Sequence, residues 1–207
     1  MFQEEITFQE IIQWLRRVAN TLEEKKRYLD RLDSPIGDGD HGRTIANAFN
    51  KIIPILDSST EEDVGGLLVE IGKSLAFSTG AATGPLYGTA FMEAGKLVKG
   101  KKKIYLDDCV RMIQAAEEGV KRRGKAEVGD KTMLDTIHPV RESLEHSLSE
   151  SDSLKVALEK AKKSARKGME STKEIISRKG RASRLGERSR GHIDPGSAST
   201  CLIIEAW

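Results

Sequence analysis

Residues 32 to 42 read LDSPIGDGDHG and set Asp33, Asp38 and Asp40 close together among glycines and a proline. Three carboxylates this close repel one another, and gathering them costs stability unless a cation sits between them. A polar turn is the plain alternative, since turns are built from Asp, Gly, Ser and Pro. Calcium in an EF-hand fails. With Asp38 at the first position of such a loop, its fifth and twelfth positions fall on Gly42 and Phe49, which lack the required side-chain oxygen. Mg2+ suits the cluster better, because it keeps waters and shares its remaining positions with substrate phosphates. The glycines let the backbone approach such a ligand closely. His41 and Gly42 then open a helix, whose free N–H groups and positive dipole end favour a phosphate.

Three further stretches carry residues that helices do not need. STGAATGP, residues 78–85, brings small residues, bare N–H donors and the Thr83 hydroxyl to a helix start, although small residues also allow close helix packing. RGKAEVGDKT, residues 123–132, imitates a P-loop but has Asp130 at the lysine position and no strand before it, so a P-loop is rejected. RKGRASRLGERSRGHIDPGS, residues 178–197, sets Arg178, Lys179, Arg181, Arg184, Arg188 and Arg190 against one Glu187. Such a run is ordinarily a solvated face or a nucleic-acid patch. Interleaved with glycines and opposite an acidic cluster, it is better explained as a clamp on phosphate oxygens whose remaining charge a metal neutralises.

The elements that position these loops are helical. Thr7 to Glu10 form a capping box, and Ile11, Leu15, Val18 and Leu22 follow at helix spacing. This first helix stops at the break between Pro35 and Gly37. A second starts near Gly42 or Arg43, and a third after the cap residues Ser58, Ser59 and Thr60. Pro85 suits the first turn of a fourth, and Asp107 or Asp108 opens a fifth that closes at Gly124. A sixth over 131–149 is bent at Pro139, a seventh covers about 152–178, and a short last helix follows Pro195. No stretch alternates with period two. The expectation is one all-α domain over 1–207, a bundle of about eight antiparallel amphipathic helices. In an up-down bundle alternate loops share an end, and the four loops follow the first, third, fifth and seventh helices. They should converge.

Composition bounds the function classes. The chain has 207 residues, of which 34 basic and 32 acidic ones leave a net charge of +2, a poor match to a general nucleic-acid binder. No apolar run approaches the roughly 18 residues of a membrane span, and the acidic start is no signal peptide. Cys109 and Cys201 lie apart in apolar surroundings, as buried free thiols of a reducing cytoplasm would. A soluble cytoplasmic protein is expected.

Four motifs, YLDRLDSPIGDGDHG, TGPLYGTAF, RGKAEVGDKTMLDTIHPV and GRASRLGERSRGHIDPGS, occur in this order. Together they resemble the nucleotide-binding L subunit of dihydroxyacetone kinases, over nearly the whole chain. The resemblance implies a barrel of eight amphipathic helices with ADP or ATP at one end. It implies that Asp33, Asp38 and Asp40 hold two Mg2+ ions on the phosphates, and that His41, Gly42, Arg43 and Thr44 contact them. Ala82 and Thr83 match the family's phosphate loop, where Thr83 keeps a hydroxyl and adds a methyl group. Gly124, Met133, Arg181, Asp194, Pro195 and Gly196 match positions around the base and ribose, and Arg181 would add charge neutralisation. For Met133 the sequence alone also allows simple core packing. The resemblance further implies that dihydroxyacetone sits on a separate K subunit, so this chain would supply half an active site. A free-standing L chain favours the subtype in which a phosphohistidine protein of the sugar phosphotransferase system recharges retained ADP. An ATP-exchanging kinase subunit and an ADP-loaded module docking on a transcription factor are the alternatives. A homodimer is one assembly open to the chain.

Overall fold

The computed structural model describes residues 5–78 and 83–207. Its helices are α1 (Phe8–Asp33), α2 (His41–Asn50), α3 (Ile53–Ser58), α4 (Val64–Ala76), α5 (Thr83–Leu97), α6 (Leu106–Gly124), α7 (Leu134–Ser149), α8 (Leu154–Ser171) and α9 (Pro195–Glu205). The eight longer ones are those the sequence implies, and α3 is an added short turn. Each of α4 to α8 packs on the next, and α9 packs on both α8 and α1. The array closes into a barrel, all-α as the sequence predicts. Its interior is lined by fully buried side chains such as Leu15, Leu22, Ile45, Phe49 and Ile71. Among the described residues no helix is long and apolar enough to cross a membrane.

Some boundaries match the sequence reading and others differ from it. The predicted capping box closes α1: the Glu10 carboxylate accepts from Thr7 N at 2.8 Å and Thr7 Oγ1 accepts from Glu10 N at 3.3 Å. The cap of α4 is Asp63, not Ser58–Thr60. Its carboxylate accepts from Gly66 N at 2.8 Å and Gly100 N at 2.7 Å, fixing the α5–α6 connection as well. A two-residue antiparallel pairing of Ile6–Thr7 (β1) with Lys103–Ile104 (β2) ties α1 to that same connection. Helix α8 ends at Ser171 rather than 178, because tertiary partners recruit Thr172. Its hydroxyl accepts from Asp194 N at 3.0 Å, and its carbonyl accepts from Lys131 Nζ at 2.5 Å. Pro139 lies inside α7 and removes the N–H that would bond to the Asp135 carbonyl. Gly168 of α8 packs against that carbonyl. Cys201 is buried and Cys109 half-buried, and burial pushes both free thiols up to about 12.

Helices α4 and α5 meet through glycines. Gly72 faces Gly88, and Gly65 faces Gly95. This seam sets how closely α5 lies to its neighbour, and Tyr87 beside it reaches the start of α9, with its hydroxyl 3.1 Å from Gly196 O. A methyl at Gly88 would lie 2.5 Å from the Gly72 carbonyl oxygen. Alanine ordinarily favours a helix interior over glycine by about 1 kcal/mol. Here the clash with backbone should reverse that sign, at roughly 1–3 kcal/mol for overpacking. Gly88→Ala is therefore expected to lower the melting temperature by several degrees. Thermal unfolding followed by circular dichroism checks this, and an unchanged or raised midpoint would contradict the packing described.

Candidate functional site

Asp33 is the last residue of α1, and its buried carboxylate faces the loop that follows. Oδ2 accepts from Gly39 N at 2.9 Å, Asp40 N at 3.1 Å and His41 N at 3.3 Å. The free N–H groups at the start of α2 thus meet a negative charge. Gly39 takes a left-handed conformation, φ +74°, which favours glycine. Gly37 must also be glycine, since a Cβ there would collide with the Asp33 carboxylate. The outside of the turn is held by Asp30, whose carboxylate accepts from Arg43 N at 3.1 Å and pairs with the Arg43 guanidinium at 3.3 Å. Arg43 therefore braces the loop, also donating to Gly39 O at 3.2 Å.

The folded loop brings one carboxylate oxygen each of Asp33, Asp38 and Asp40 within 4.8 Å of one another. Asp33 is buried, Asp40 half-buried and Asp38 exposed. Burial and the neighbouring charges of Asp38 and Asp33 raise the Asp40 carboxyl above its ordinary range. Such a set suits a divalent cation: hard oxygen donors, excess negative charge and an open, solvent-facing side. Arg181 of the fourth loop supplies the nearest positive charge, its guanidinium 2.5 Å from Asp38 Oδ2.

The third and fourth loops gather at the same end, while residues 79–82 of the second lie outside the described residues. Arg178 N donates to Asp130 O at 3.1 Å, and the side chains of Arg178 and Lys179 stand 4.0 and 3.9 Å from the Asp130 carboxylate. Lys131 is 1% exposed, and its ammonium donates to the carbonyls of Thr172 and His192. It fastens the third loop beneath the fourth. Residues 181–189 form 3-10 turns interrupted at Gly186, φ +52°. Asp194 caps α9, accepting from Ser197 N at 2.7 Å, and Pro195 and Gly196 form its first turn. Burial pushes the Asp194 carboxyl up to about 7, with Asp135 and Asp33 adding to the shift and Lys131 opposing it. Met133 is buried beside Gly196, and Gly124 closes α6 against Leu86. Thr83 opens α5 and Thr44 lies in the first turn of α2. Ala82 lies outside the described residues.

Two residues escaped the sequence reading. Ser199 Oγ stands 2.8 Å from His41 Nε2 and 2.8 Å from the Tyr87 hydroxyl, joining the starts of α2, α5 and α9. The only hint was the run of hydroxyls in GSAST, since a buried hydroxyl needs a partner. Burial lowers the His41 pKa, against the smaller opposing effects of Asp33 and Asp30.

A family model described as the DAK2 domain matches residues 35–207. The chain is 40% identical over 196 residues to the PEP-dependent dihydroxyacetone kinase, ADP-binding subunit DhaL, of Escherichia coli (strain K12), covering 95% of this chain and 93% of that one. It is 36% identical over 200 residues to the PTS-dependent dihydroxyacetone kinase, ADP-binding subunit DhaL, of Lactococcus lactis subsp. lactis (strain IL1403), covering 97% and 96% respectively. The crystal structure of the dihydroxyacetone kinase from C. freundii in complex with AMP-PNP and Mg2+ matches 95% of this chain with a TM-score of 0.70 and 26% identity. This chain covers 33% of that one. With the barrel, the order of its loops and likeness along nearly the full length of two subunits in agreement, the chain belongs to the DAK2-domain family, among the DhaL subunits of dihydroxyacetone kinases.

Proposed function

We propose that this chain is the nucleotide-carrying subunit of a dihydroxyacetone kinase, passing a phosphoryl group from bound nucleotide to a hydroxyl of dihydroxyacetone held by a separate K subunit. The observation that carries this reading is the convergence of Asp33, Asp38 and Asp40 beside Arg181, in a chain whose relatives are named as ADP-binding kinase subunits. The three aspartates would hold Mg2+, two ions in the family's manner, on the phosphates. Bound Mg2+ would neutralise charge on the transferring group and align it. The protein's own part is positioning. The positive dipole end of α2 favours phosphate beside it, where His41, Gly42 and Thr44 would make contact; Arg43 is engaged by Asp30 instead, and Ala82 and Thr83 would contribute as in the family. Arg181 is close enough to exchange Asp38 for a phosphate oxygen. Gly124, Met133, Asp194, Pro195 and Gly196 would enclose the base and ribose. The relatives named as PEP- and PTS-dependent support recharging of retained ADP by a phosphohistidine protein, and weigh against ATP exchange or transcription-factor docking. The reading needs no homodimer.

Asp38→Asn and Asp40→Asn should each weaken Mg–ADP binding by roughly 10–100-fold or more, since even indirect partners of a metal ligand have effects of that size. The helical spectrum should not change, because Asp38 is exposed and each change relieves like-charge repulsion. Titration calorimetry with Mg–ADP decides this, and unchanged affinity in both variants would remove the aspartates from the metal site.

Phe77, at the end of α4 and just before the phosphate loop, is 89% exposed. A single exposed aromatic is ordinary on a protein surface; its place in the chain next to the phosphate loop is what suits it as an apolar anchor for the chain bearing the acceptor. The purified chain alone should phosphorylate dihydroxyacetone barely or not at all, and a cognate K subunit with its phosphoryl donor should restore transfer. Phe77→Ser should lower that coupled rate several-fold at limiting K subunit, while Mg–ADP affinity stays the same. Brisk turnover by the chain alone would refute the divided active site. An unimpaired coupled rate in Phe77→Ser would refute the anchor.

A further inference from the structure

Beyond the residues that would face nucleotide, a buried hydroxyl chain runs from the barrel wall to His41. Tyr87 of α5, Ser199 and Thr200 of α9 and His41 of α2 contribute, and Ser199 is fully buried. The Tyr87 hydroxyl lies 2.8 Å from both Ser199 Oγ and Thr200 Oγ1. Thr200 donates to Gly196 O at 2.8 Å. That carbonyl is then served, and the approaches to it by Tyr87 and Ser199, both 3.1 Å, are the longer ones. A phenol is a better donor than an aliphatic alcohol, so the Tyr87 proton goes to a neighbouring hydroxyl oxygen. The Ser199 proton has Pro195 O at 3.0 Å, or His41 Nε2 at 2.8 Å. An imidazole nitrogen is the stronger acceptor and the nearer.

We infer that Ser199 is a positioning residue: by donating to Nε2 it fixes His41 as the tautomer protonated on Nδ1. The ring nitrogen not bound to Ser199 is then a donor. If His41 meets phosphate as proposed above, the premise on which this role rests, Nδ1–H gives a phosphate oxygen a hydrogen bond, where the other tautomer would present a lone pair. The choice of tautomer, not a charge, is what Ser199 controls. Tyr87 stands behind Ser199 and supports it without deciding the ring proton.

The test is nitrogen NMR of the His41 ring in 15N-labelled full-length protein without nucleotide, paired with Mg–ADP calorimetry. The unsubstituted protein should show Nδ1 protonated and Nε2 bare. Ser199→Ala should move the ring towards protonation on Nε2 and weaken Mg–ADP binding roughly tenfold, the scale of one hydrogen bond to a charged group. Tyr87→Phe disturbs the same buried contact but leaves the Ser199 proton, so its ring should stay protonated on Nδ1. Protonation on Nε2 in the unsubstituted protein would overturn the inference. So would an unaltered ring in Ser199→Ala, the same ring change in both variants, or unaltered Mg–ADP affinity in Ser199→Ala. If the unsubstituted protein bound no Mg–ADP, the nucleotide reading would fall, while the NMR would still decide the tautomer.

Discussion

The candidate site depends on one buried carboxylate. Asp33 ends α1 and accepts three backbone N–H groups from the turn that begins α2. Hydrogen bonds to a charged group contribute about 1.5–3 kcal/mol each, enough to hold a glycine-rich turn that has little conformational preference of its own. That hold decides where Asp38, Asp40 and His41 go. It also explains why α2 starts so close to α1, where a side chain at Gly42 would collide with the Lys26 carbonyl. The carboxylate that organises the turn is also one of the three that would meet a cation. Structure and chemistry therefore cannot be separated at this residue, whereas Asp38 is exposed and has no such structural burden.

Around this point the rim is tied together by polar contacts from α9. Ser197 Oγ donates to Thr132 O at 2.6 Å, and Thr136 Oγ1 donates to Ser197 O at 3.2 Å. Lys131 draws the third loop under the fourth, and Ser177 N donates to Ser189 Oγ at 2.9 Å across the arginine loop. Buried polar groups satisfied in this way fix one arrangement, because each alternative leaves a donor or acceptor unpaired. The helix that closes the barrel against α1 is thus also the helix on which the third and fourth loops are registered. Barrel closure and site assembly use the same helix.

The local signals in the sequence were a reliable guide to the fold. A capping box, helix-period apolar residues and four loops after alternate helices sufficed for a helical bundle with a shared rim. The acidic cluster was legible because three like charges so close in the chain have few structural uses. What escaped depends on distant partners. Ser58–Thr60 looked like a cap, yet Asp63 takes that role because it also reaches Gly100. The apolar period of α8 gave no warning that Thr172 would be recruited by Lys131 and Asp194. Lys131 itself read as part of a failed P-loop, and nothing local says that an ammonium between Asp130 and Thr132 will be buried. Tyr87 and Ser199 are far apart in the chain, and only the barrel brings them to His41.

The pairing of Arg181 with Asp38 bears on how the site would change state. Arg181 of the arginine loop pairs with Asp38, so the loop is held to the acidic cluster by a contact that is largely exposed. An exposed ion pair is worth little, about 0–1 kcal/mol. A cation on the aspartates would remove the reason for that pairing, and a phosphate beside it would give the freed guanidinium a stronger, charge-assisted partner. Arg181 would move a short distance between two anions, with Lys131 keeping the base of its loop in place. A weak ion pair that a ligand would exchange for a stronger one would let binding bias the loop, since only the difference in affinity between the two arrangements shifts the population. On the proposed function, the rigid carboxylate of Asp33 and the loosely held guanidinium of Arg181 would be complementary parts of one device, the first fixing where the phosphates would sit and the second responding to their arrival.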